Sequence, residues 1–94
     1  MAIYWSDSAL AALARIGARI ESISGKDSGG RWRQRVSDRI DLAGLLPFAS
    51  RAVPEFDSTM YREVFEADYR IQFRVSGDDI EVITIFHGAM QLGD

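Results

Sequence analysis

Cysteine is absent from the chain, lysine occurs once, at Lys26, and histidine once, at His87. Without cysteine there are no disulfides, no thiolate nucleophile and no cysteine-built zinc site. One histidine excludes a multi-histidine metal centre within one chain and leaves a Ser-His-Asp triad a single possible base. Lysine, whose pKa shifts most readily for acid–base work, is almost missing. Long apolar runs are missing too, and none approaches the ~20 residues that a membrane helix requires. The opening Met1-Ala2-Ile3-Tyr4-Trp5 has no basic stretch of the kind that begins a secretory signal. We therefore expect a cytoplasmic protein with no membrane anchor, no cofactor and no metal.

What remains is ordinary in bulk and unusual in its cations. A chain of 94 residues has room for one core, so residues 1–94 are expected to form a single domain. Of the 11 basic residues all but Lys26 are arginine, the planar and always-charged fork that suits carboxylates and phosphates. The net charge of −3 argues against steering toward nucleic acid, and sequence-specific DNA binding is not expected. Gly25-Lys26-Asp27 lacks the upstream glycine and the following Ser/Thr of a phosphate loop, so it is given no nucleotide role.

The order of elements can be read from spacing. Ile3-Tyr4-Trp5 reads as a short strand, and Ser6 and Asp7 offer N-cap chemistry. Leu10, Leu13, Ile16, Ile20 and Ile23 recur at helical spacing, which predicts a helix from about residue 8 to about 24 with that stripe inward. Gly25 to Gly30 is expected to be a glycine-rich loop. A second helix is predicted from about residue 30 to about 45, with Trp32, Val36, Ile40 and Ala43 inward and Arg31, Arg35 and Arg39 as a solvated row. Pro47 and Pro54 bracket an irregular connection. Three β-like runs follow, at Met60–Phe65, Tyr69–Val75 and Ile80–His87. In the middle run Tyr69, Ile71, Phe73 and Val75 point one way, and Arg70, Gln72 and Arg74 form a basic outer face. In the last run Ile80, Val82 and Thr84 oppose Ile83 and Ile85, which suits a strand paired on both sides. The fold class is α+β: a strand, a two-helix hairpin and a three-stranded antiparallel meander.

Arg51-Ala52-Val53-Pro54-Glu55-Phe56, Tyr61-Arg62-Glu63-Val64-Phe65, Tyr69-Arg70-Ile71-Gln72-Phe73-Arg74-Val75 and Ile85-Phe86-His87-Gly88-Ala89 occur in that order. Together with the opening Tyr4-Trp5-Ser6, they resemble the RelE/ParE toxin superfamily, on the ParE side. The resemblance implies the toxin of a type II toxin–antitoxin pair, of the kind linked to plasmid stabilisation. It implies a cognate antitoxin bound in a hetero-oligomer and, for ParE-like members, DNA gyrase as the target of growth arrest. RelE-like members instead cleave messenger RNA in the ribosomal A site, and a non-toxic antitoxin-binding homologue is a third reading. Two positions depart from the pattern: Ser50 stands where the family often has Gly, and Met90 where it usually has Arg after His-Gly-Ala.

The candidate residues for target or antitoxin binding are Arg51, Arg62, Arg70, Arg74, His87 and Met90. For a RelE-like ribonuclease the candidates would be Arg62 and His87. No second proton-transfer group accompanies them, so inhibition by binding is expected over catalysis.

Overall fold

The computed structural model describes residues 1–88, so Ala89 and the candidate Met90 lie outside the described residues. The chain opens with β1 (Ile3–Trp5), followed by helices α1 (Asp7–Ser24) and α2 (Lys26–Leu45) and a short 3-10 turn, Pro47–Ala49. The remaining strands are β2 (Arg51–Ala52), β3 (Tyr61–Glu66), β4 (Tyr69–Ser76) and β5 (Asp79–His87). The sheet order is β1-β5-β4-β3-β2, antiparallel except for β1, which runs parallel to β5. The expected strand, helical hairpin and meander are all present, and β2 is an addition where an irregular connection was expected. No helix among the described residues is long and apolar enough to cross a membrane.

Ser6 begins α1 as expected. Its extended backbone and its hydroxyl, which accepts the Ala9 N–H at 3.0 Å, satisfy the helix end. The same hydroxyl donates to the Ile83 carbonyl at 2.9 Å, which pins the helix start to β5. α1 ends at Gly25, whose φ of +105° a side chain would oppose.

The expected glycine-rich loop is in fact a single residue, because α2 starts at Lys26. Gly29 belongs to α2 and sits where the helices cross. A Cβ there would meet the Gly17 carbonyl oxygen at 2.4 Å. This glycine permits close helix approach rather than a loop.

The buried stripe of α1 is rotated from the predicted one. Ala9, Ala12 and Ile16 are buried, with Leu13 and Ile20 packed beside them, while Leu10 and Ile23 stand 49% and 72% exposed. In α2, Trp32, Val36, Ile40 and Ala43 are buried as expected. Both helices cover one face of the sheet, against Ile71, Phe73, Val75, Ile80, Val82 and Ile85. Burial of each large apolar side chain contributes ~1.5–3 kcal/mol, so this layer supplies most of the driving force.

In β5, Thr84 pairs with Gln72 and Val82 with Phe73, which leaves Ile83 as the extra residue of a bulge. The bulge shifts the alternation, so Ile80, Val82 and Ile85 face the helices together instead of on opposite sides.

Candidate functional site

The face of the sheet turned away from the helices carries a closed charge cluster. Register places Glu63 of β3 directly between Arg51 of β2 and Gln72 of β4. The Glu63 side chain is fully buried. Its Oε1 accepts from Arg70 Nε at 2.8 Å and Gln72 Nε2 at 3.1 Å, and its Oε2 accepts from Arg51 Nε at 2.8 Å. Arg70 turns its other edge to Glu55 and donates from Nη1 and Nη2 at 2.7 Å each. Its guanidinium also lies 5.2 Å from the centroid of Phe86, its cross-strand neighbour. The hydrogen bonds from Arg70 outweigh partial burial and lower the Glu55 carboxyl from 4.5 to about 2. The same bonds to Glu55, with that to Glu63, raise Arg70 above its ordinary range despite the cost of burial.

Two guanidiniums and two carboxylates therefore neutralise each other. The expected basic outer face is not formed at Arg70, which is 6% exposed, nor at Gln72, which is buried. Arg74, at the far end of β4, is half exposed and lies 3.6 Å from Glu81.

Arg62 and His87 both lie on the helix side of the sheet but not at one site. Arg62 stands opposite Phe73, and His87 opposite Tyr69, four residues along β4 and so ~13 Å apart in that direction alone. Arg62 is held at the other end. It donates to the carbonyls of Thr59 at 2.9 Å and Ser50 at 3.1 Å and covers the Phe48 ring at 4.9 Å. This geometry gives the pair no shared reacting atom. Among the described residues no group of three His, Asp or Glu side chains is placed to hold a metal ion.

His87 is exposed and meets Tyr69 edge-on at 5.5 Å, and Tyr69 in turn meets buried Trp32 at 5.2 Å. Exposed His87 and half-buried Tyr69 border a groove of about 560 Å³ whose other wall is α1, through Arg15, Ile16, Arg19 and Ile23. Sequence reasoning missed Arg15 and Arg19. Their spacing of one helical turn was visible, but nothing local distinguishes it from a solvated face.

A second surface is apolar. Leu42, Leu45 and Leu46 at the end of α2 are 66–71% exposed, and Phe48 and Phe65 lie partly open. Leu42, Leu46 and Phe65 share a groove of about 500 Å³ with Arg39 and Arg51. Here β2 stops opposite Glu63, so the outer edge of β3 from Val64 to Glu66 has no strand partner among the described residues. An apolar patch beside an unpaired strand edge is a place for another chain to add.

The comparisons with known proteins fit this architecture. A family model for the ParE toxin of the type II toxin–antitoxin system, parDE, matches residues 3–92. A comparison with curated proteins finds no match. Among solved structures, the chromosomal ParDE toxin–antitoxin system from P. aeruginosa superposes with a TM-score of 0.77 at 19% identity, covering 93% of this chain and 95% of that one. A conserved hypothetical protein from Helicobacter pylori superposes with a TM-score of 0.50 at 13% identity, over 93% of each chain. At these identities the structural likeness speaks to the fold.

Proposed function

The chain belongs to the ParE toxin family of type II toxin–antitoxin systems, and from that premise we propose that it arrests growth by binding DNA gyrase and is neutralised by a cognate antitoxin. The observation that carries the antitoxin half is the exposed leucine patch at the end of α2 beside the open edge of β3. An antitoxin segment that lays apolar side chains on Leu42, Leu45 and Leu46 and pairs with the β3 edge would cover both. The preference for binding over RNA cleavage rests on the separation of Arg62 from His87 and on the consumption of Arg51 and Arg70 within the sheet. Both events belong in the cytoplasm, where gyrase and a freshly made antitoxin are met.

The test is inhibition of gyrase supercoiling by the purified chain and its reversal by the protein encoded beside it. Met90→Arg, which restores the residue the family usually has, is expected to increase inhibition. Growth arrest without any effect on gyrase would overturn the target. A-site cleavage of messenger RNA in a translation reaction, lost on Arg62→Ala, would transfer the chain to the ribonuclease branch.

A further inference from the structure

We propose that the groove between α1 and the Tyr69–His87 end of the sheet is a second antitoxin contact, one that takes an acidic segment with two carboxylates ~6 Å apart. The inference rests on the antitoxin reading above and adds to it a site and a chemistry. Arg15 and Arg19 stand one turn apart on α1, so their Cβ atoms are ~5–6 Å from each other. Both are exposed, and neither guanidinium has a hydrogen-bond or carboxylate partner among the described residues. Arg39, beside Leu42 and Leu46, shares that state among the described residues, whereas five of the ten arginines face a carboxylate. Arg33 is paired with Glu21 at 2.8 Å, Arg51 and Arg70 with Glu63, and Arg35 and Arg74 lie within 4 Å of Glu66 and Glu81.

The lining is not only cationic. Ile16 and Ile23 of α1 face Tyr69 and His87 across the groove, so a ligand meets apolar and aromatic walls as well as the two forks. A free inorganic anion would leave those walls wet. A nucleic acid strand would need a longer cationic track than two arginines on a chain of net charge −3. A peptide that alternates carboxylates with apolar side chains satisfies both parts of the lining. Arginine recognises each carboxylate with two parallel hydrogen bonds, which gives register as well as attraction. Exposed charges of this kind act mainly on the rate of encounter, so the groove steers the partner while the leucine patch holds it.

The experiment uses the full chain and the antitoxin encoded beside it, with association and dissociation rates followed at several salt concentrations. R15E/R19E is expected to weaken binding ~10–100-fold, mostly through slower association and with a shallower salt dependence. Thermal stability should be unchanged. K26E/R31E changes the net charge by the same amount on α2 and should bind like the wild type. Charge reversal at two acidic positions of the antitoxin should restore binding to R15E/R19E. If the wild type binds the antitoxin and R15E/R19E binds it equally well, the groove is overturned and the family reading stands. Equal losses in R15E/R19E and K26E/R31E would reduce the effect to overall charge and overturn it as well. A wild-type dimer that R15E/R19E dissolves would give the groove to a second copy of the chain. No binding by the wild type would overturn the antitoxin reading, and the groove with it.

Discussion

The two faces of the sheet use arginine in opposite ways. On the far face, Arg70 is buried, forked onto Glu55 and Glu63, and stacked on Phe86. On the helix side, Arg15 and Arg19 stand in the open beside a partly apolar groove, with no carboxylate of the described residues to neutralise them. The same guanidinium is built into the structure in one place and left open to solvent in the other, and the deciding factor is whether carboxylates of the described residues have already met its hydrogen-bond capacity.

The largest expected effect comes from opening the closed side. Glu63→Gln leaves two guanidiniums facing a neutral amide in a buried site, a change worth ~3–5 kcal/mol. That is a large share of the stability of a chain this small. Urea denaturation reads it, and a loss below ~1 kcal/mol would mean that packing, not charge, holds the far face.

A smaller effect is expected from acid. The Glu55 carboxyl is depressed from 4.5 to about 2, so its contribution is complete above pH 4.5 and is lost as pH falls toward 2. Stability of the wild type should therefore decline across that window more steeply than that of Glu55→Gln. Identical acid profiles would show that the Arg70–Glu55 fork does not persist in solution.

The smallest effect is expected on the open side. Arg15→Gln with Arg19→Gln should leave stability within ~0.5 kcal/mol of the wild type by the same urea measurement, since neither guanidinium is hydrogen-bonded or ion-paired among the described residues. A larger loss would make the two faces alike and remove the contrast.

Much of the fold was legible because its signals are local. Trp32, Val36, Ile40 and Ala43 announce the buried face of α2 by spacing alone, and Tyr69, Ile71, Phe73 and Val75 announce that of β4. The rest depends on partners that spacing cannot supply. The glycines before Trp32 look like a loop until Gly17 is placed against Gly29. The alternation of β5 misleads because Ile83 is a bulge held by Ser6 from the other end of the chain. Arg70 reads as a surface residue because Glu55 and Glu63, which enclose it, lie in a connection and a different strand. The candidate site was legible as a set of residue types but not as a geometry. Arg51 and Arg70 come together through Glu63, whereas Arg62 and His87 end up at opposite ends.

The parallel pairing of β1 with β5 bears on how the toxin is made. Ser6 reaches Ile83 across 77 residues, and its N–H bonds to the Val82 carbonyl at 2.9 Å. A ribosome working at ~5–20 residues per second needs roughly 4–15 s to go from one to the other. Until β5 has been made, the first strand has no neighbour in the sheet. A chain stopped before β5 therefore leaves its first strand unpaired, so closure of the sheet waits for nearly the whole toxin to be made.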